Sequence, residues 1–166
     1  RAHTFDVAVE AGLVGELHLT PEPETFGAPC PPRLAVSVLR GRRALSVCAE
    51  LHADGFDDEA RLLAAAEEMT GWGWHLVYAD LVGSTSMAAA VRLAETLRPA
   101  YVQVDLAVPG RAGDPRTAAW IDTAQSVGAS VMALGIDTQA ALESALALGA
   151  VYGRGTLVGR PTSRPV

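Results

Sequence analysis

The sequence predicts an α/β domain, either an open parallel sheet or a contracted, incomplete (α/β) barrel of TIM type. Short apolar runs of strand length alternate with longer Ala/Leu-rich segments of helical period. The connections are too short to cross a sheet except to an adjacent strand, which implies parallel strands wound in one direction. Acidic residues also recur at the ends of the apolar runs, the face on which α/β folds carry their chemistry.

Taken in order, apolar runs at 5–9, 14–19, 34–39 and 44–49 read as strands, and Arg40, Gly41, Arg42 and Arg43 read as a solvated turn that would make the last two a hairpin. Asp57 opens a helix to about Thr70, with acidic residues in its first turn as the helix dipole favours. "WHLVYADL" is a strand, and the segment from Ser84 to Arg98 is a helix capped by Ser84 or Ser86 and stopped by Pro99. "YVQVDLAV" is the next strand, Asp114 with Pro115 opens a helix to about Val127, and "ASVMAL" is a further strand. Asp137 is expected to cap a helix to Leu148 that Gly149 ends. "AVYGRGTLVG" then finishes in extended or irregular form. Strands of the sheet are thus expected near 34–39, 44–49, 74–79, 101–106, 129–134 and 151–158.

Composition narrows the function. A net charge of −6 argues against nucleic acid as a partner, because duplex binding needs Lys and Arg to neutralise phosphates. No apolar run approaches the ~20 residues of a membrane span. The chain begins at Arg1 without a charged and apolar leader, so it reads as one domain over 1–166, cytoplasmic and excised from a longer protein. Cys30 and Cys48 have no CxxC partner and read as reduced thiols. His18, His52 and His75 lack ligand spacing to one another, so zinc is not expected, and Trp72, Trp74 and Trp120 read as packing residues. Thirteen arginines but no lysine and no asparagine occur, so no mechanism that needs an ammonium side chain or an Asn carboxamide can run here.

Four acids fall at strand ends: Glu50, Asp80, Asp105 and Asp137. Carboxylates converging from successive strands gather hard cations such as Mg²⁺, which take oxygen ligands. The alternative is that Asp80 and Asp137 cap the segments after them and Glu50 is solvated.

Six landmarks follow one another between 44 and 161: "VCAE" at 47–50, Gly73 and "ADLVG" at 79–83, "QVD" at 103–105, "ALGIDT" at 133–138, "RG" at 154–155 and "GRP" at 159–161. In that order they resemble the C-terminal two thirds of an EAL domain, the bacterial family whose active members hydrolyse cyclic di-GMP. The departures fall on the chemistry. Ala79 stands for the first acid of the paired-Asp motif, Gln103 for the lysine, Leu134 for the first glutamate of Ala-Glu-Gly and Arg154 for the glutamine, while Asp137 keeps a carboxylate. Over 1–43 the match is thin. "VGELHL" at 14–19 resembles the strand bearing Glu-Ala-Leu, but with Glu16 one residue early, which on a strand would turn it to the other face. A full barrel needs about 250 residues, so 166 implies lost units.

The resemblance therefore implies a catalytically inactive, EAL-like regulatory domain of contracted-barrel fold. It would act by contact with a protein partner, another domain of its own chain or a second copy, with cyclic di-GMP binding doubtful and no cofactor expected. The alternatives are a phosphodiesterase using Mg²⁺ or Mn²⁺ at a rearranged Glu50, Asp80, Asp105 and Asp137 site, or a non-hydrolysing receptor in which Gln103 and Arg154 hold the ligand. In EAL domains the loop after the paired-Asp strand and the following helix take part in pairing. That points to 81–98, where Met87, Val91 and Ala94 share one helical face as a candidate contact surface.

Overall fold

The computed structural model describes residues 2–22, 32–52, 59–79 and 87–159. Its elements run α1 (Ala2–Glu10), β1 (Glu16–Leu19), α2 (Pro32–Ala44), β2 (Ser46–Leu51), α3 (Glu59–Gly71), β3 (His75–Tyr78), α4 (Met87–Leu97), β4 (Tyr101–Asp105), α5 (Pro115–Ser126), β5 (Ser130–Leu134), α6 (Gln139–Ala147) and β6 (Tyr152–Gly153). The six strands lie side by side in chain order and every neighbouring pair is parallel. Parallel neighbours in sequence order, each joined through a helix, are the winding of an (α/β) barrel, and the sheet curls as half of one.

Curvature can be read from contacts across the inner face. Three strand spacings separate β1 from β4, about 14 Å on a flat sheet. Yet the Tyr101 hydroxyl at the head of β4 donates to Glu16 Oε1 on β1 at 2.8 Å. Glu50 on β2 likewise meets Arg154, just past β6, at 3.1 Å.

Side chains alternate between two environments along each strand. Ala49, Leu51, Leu76, Tyr78, Val102, Val104 and Val131 point outward into the main core, where they meet Leu62, Met69, Leu93 and Trp120 from the surrounding helices. Trp120 is fully buried and packs edge-on to Tyr78 with ring centroids 5.8 Å apart. Trp72 and Trp74 pack on each other at 4.9 Å, so the three tryptophans serve the core.

Two expected strands are helices. The run at 5–9 lies in α1, and 34–39 together with the expected turn lies in α2, so the hairpin does not form. Each segment has an apolar stripe that reads equally as strand alternation, and mutual packing decides between them. Phe5 and Ala8 form a core with Leu45 and Val47, and Ser37 Oγ donates to Asp6 at 2.8 Å. The Phe5 ring lies directly on Gly41, where a Cβ would overlap its Cβ and ring carbons. The arginines end a helix rather than forming a solvated turn: Arg42 donates from Nε and Nη2 to the Trp72 carbonyl at 3.1 and 2.7 Å.

The remaining elements hold with small changes. Asp114 caps α5 by accepting from Arg116 N, with Pro115 next. Asp137 does not cap α6. Thr138 does, accepting from Ala141 N, because Asp137 turns to the 154–159 turn instead. The last strand is two residues rather than eight, and Gly155 lets the following turn sit against the Ile136 backbone, where any Cβ would collide. On α4 the buried face is Ala90, Leu93 and Ala94, so Ala94 belongs to the chain's own core and offers no contact surface, while Val91 is half-buried. The Met87 side chain and residues 80–86, Asp80 among them, lie outside the described residues. Among the described residues no helix is long and apolar enough to cross a membrane.

Placing a β-branched side chain at Gly41 must push Phe5 out of its seat. Gly41→Val is expected to lose about 1–3 kcal/mol of stability, read as a lower urea midpoint. An unchanged midpoint would show that α1 and α2 do not pack as described.

Candidate functional site

The inner face of the sheet gathers the polar residues. Alternation puts Glu16 and His18 of β1, Cys48 and Glu50 of β2, and Tyr101, Gln103 and Asp105 of β4 on it, with Met132 and Leu134 of β5 beside them. Glu16 faces inward despite its early position in the motif, since Tyr101 reaches it there.

Glu50 is the most constrained of these. Its side chain is 7 % exposed, Thr20 Oγ1 donates to Oε2 at 3.1 Å and Arg154 Nη2 donates to Oε1 at 3.1 Å. The His18 ring beside it, helped by the Arg154 guanidinium and the Thr20 hydroxyl, holds its carboxyl down to about 2 against the opposing effect of burial. At 3.7 Å the His18 Nδ1 contact is too long for a hydrogen bond, so the shorter Arg154 and Thr20 bonds fix the geometry. The Arg154 backbone is itself fixed, since its N donates to Ala133 O and its carbonyl accepts from Ile136 N.

The other expected site residues have separate partners. Asp105 Oδ1 accepts from Ala107 N at 2.9 Å, closing a local turn at the end of β4. Asp137 Oδ1 accepts from Thr156 N and Oγ1 at 2.7 and 2.9 Å, and those bonds lower its pKa. Gln103 is 1 % exposed, and its Nε2 finds the Met132 sulfur at 3.8 Å. Leu134 stands opposite Asp105 in the register, a hydrocarbon beside the carboxylate.

Among the described residues, Glu50, Asp105 and Asp137 thus each have a separate partner, while Asp80 lies outside them. Among the described residues, the set of three metal-ligating side chains whose donor atoms lie within 4.8 Å of one another is Glu16, His18 and Cys48. Sequence reasoning passed over it because His18 and Cys48 are thirty positions apart and become neighbours only through the β1–β2 register. The available signal was Glu16-x-His18, two polar groups at strand spacing in an otherwise apolar run. Burial and the nearby carboxylates of Glu16 and Glu50 push the Cys48 thiol up to about 12.

No protein-family model matches the chain, and no curated protein matches it in sequence. Solved structures do match. The Bacillus subtilis YkuI protein, which has an EAL domain and was solved with its substrate c-di-GMP and calcium, superposes with a TM-score of 0.75 at 15% identity over 98% of this chain and 42% of that one. The Xanthomonas citri FimX EAL domain, in complex with c-diGMP, gives 0.73 at 16% identity over 99% of this chain and 68% of that one. The EAL domain of Mycobacterium smegmatis DcpA gives 0.63 at 18% identity over 97% and 73%. The fold of this chain is that of an EAL domain, an α/β half-barrel that spans about two fifths of the YkuI chain.

A hard cation takes six or more oxygen ligands, whereas Glu50 is engaged by an arginine, and Asp105 and Asp137 each close a local turn.

A carboxyl held low in the folded state makes the unfolded chain the better proton acceptor, so acid must destabilise the fold. The Glu50 contribution should be complete above about pH 4.5 and disappear as pH falls toward 2. Urea midpoints measured across that window should fall more steeply for the natural chain than for Glu50→Gln. Asp114, held to about 2 by its bonds to Arg116, titrates in both proteins and cancels. Equal slopes would show that the Glu50 ion pair does not form.

Proposed function

We propose that this chain is a catalytically inactive, EAL-like regulatory domain that works in bacterial cytoplasmic signalling by contact with a protein partner, another domain or a second copy of itself. The observation that carries the reading is the Glu50–Arg154 pair. Metal-assisted hydrolysis of a phosphodiester needs cations that polarise phosphate oxygens and generate hydroxide. Here an arginine supplies the positive charge at the buried carboxylate and cannot activate water.

Three further features support the same reading. The Gln103 amide is turned to a thioether, Leu134 adds no donor, and the chain has neither Lys nor Asn. No Mg²⁺ or Mn²⁺ site is assigned to it. Contact is supported by apolar residues that face solvent around β6 and α6, with Leu146, Val151, Tyr152, Leu157 and Val158 all between 47% and 65% exposed.

A non-hydrolysing cyclic di-GMP receptor has one observation in its favour. The Arg154 side chain is 61% exposed, which leaves guanidinium donors free for a phosphate.

Calorimetric titration with cyclic di-GMP, with and without Mn²⁺, and product analysis separate these. The expected result is no hydrolysis and no saturable heat. Saturable binding without turnover that is lost in Arg154→Ala would establish the receptor reading. Turnover abolished by Asp80→Ala or Asp105→Ala would overturn the proposal in favour of a reworked phosphodiesterase.

A further inference from the structure

The first two strands place three donors of different chemistry side by side on the inner face. His18 and Cys48 are register partners in the β1–β2 ladder, and Glu16 lies two residues before His18 on the same face. One donor atom from each falls within 4.8 Å of the others, and Glu16 Oε2 is 3.5 Å from His18 Nε2. Ligand atoms around a tetrahedral zinc with bonds of 2.0–2.3 Å are roughly 3.4–3.7 Å apart, so the Glu16–His18 edge already has that length.

The surroundings divide the work of each ligand. Tyr101 donates to Glu16 Oε1 at 2.8 Å, which leaves Oε2 facing the imidazole. The other imidazole nitrogen, Nδ1, is buried and has no hydrogen-bond partner among the described residues, with Glu50 Oε1 at 3.7 Å. A buried orphan nitrogen is costly. Metal-bound histidines regularly direct their second N–H at a carboxylate, which fixes the ring and raises its basicity. A contraction of under an ångström toward Glu50 would supply that bond.

We propose that Glu16 Oε2, His18 Nε2 and Cys48 Sγ bind a zinc ion, with Tyr101 orienting Glu16 and Glu50 orienting His18. The donor set selects the metal. A thiolate and an imidazole suit Zn²⁺, whereas Mg²⁺ and Ca²⁺ require oxygen cages. Three protein ligands leave a fourth position for water or for a donor from a partner. The S–H bond of Cys48 breaks as the S–Zn bond forms, and the proton passes to solvent. No oxidant or reductant takes part. Glu16 and His18 are half-buried and give the ion a path from solvent. The site is independent of the regulatory reading, because it is measured by metal binding alone.

Cobalt(II) added to the full chain after chelator treatment is the direct probe, since a thiolate ligand gives an intense near-ultraviolet charge-transfer band and tetrahedral coordination gives visible bands. One Co²⁺ per chain is expected, displaced by Zn²⁺. The band should persist in Cys30→Ser, vanish in Cys48→Ser, and require more than about a hundredfold higher cobalt in His18→Gln, beyond the loss typical of an outer partner. Absence of the band in a chain with native circular dichroism would overturn the proposal, as would its persistence in Cys48→Ser. Should Cys48→Ser fail to fold, unchanged cobalt affinity in folded His18→Gln would overturn it equally.

Discussion

Curvature of the parallel sheet is the constraint on which the rest of this structure depends. Once six parallel strands run in chain order and curl, every second side chain points into a confined inner face instead of toward the helices. Polar groups carried there lose water and must find partners on distant strands. Tyr101 finds Glu16 and Arg154 finds Glu50, bonds that only a curled sheet allows. The same bonds brace the curl, linking β1 to β4 and β2 to the end of β6.

These cross-links account for what happens to the chemistry of the site. A buried carboxylate needs a compensating charge, and either a metal or an arginine can supply it. At Glu50 the arginine does so, and a threonine hydroxyl takes the second oxygen. The remaining acids at strand ends are drawn into turn chemistry: Asp105 caps the bend after β4, and Asp137 ties the loop after β6 to the end of β5. The Glu50–Arg154 pair and the turn-closing Asp105 and Asp137 thus help to hold the half-barrel in shape.

How much was legible depended on whether local pattern or distant packing set the outcome. From 44 onward the strands and helices follow from apolar runs, caps and breakers, and Asp114 with Pro115 marks the start of α5 to the residue. The first 43 positions misled. "FDVAV" and "LAVSVL" alternate like strands and are rich in β-branched residues, but each finds its burial partner in another helix, and the fit of Phe5 onto Gly41 has no signature in either segment alone. Asp137 misled for a related reason. A helix-capping residue and a loop anchor look the same in sequence, and the choice lay with Thr156, nineteen residues on.

The sequence by itself determined the class of fold, most of the strands and helices from 44 onward and the absence of lysine and asparagine chemistry, because periodicity, capping and composition are local properties. It also placed Glu50, Asp80, Asp105 and Asp137 at or near the ends of apolar runs, the face on which such folds carry their chemistry. Only the tertiary structure decided what those residues touch. Strand register made His18 and Cys48 neighbours, sheet curvature carried Arg154 to Glu50 and Tyr101 to Glu16, and helix packing took Ala94 into the core. The physical reason is that a side chain's partner across a curved sheet is set by register and twist accumulated over several strands, which no short stretch of sequence encodes.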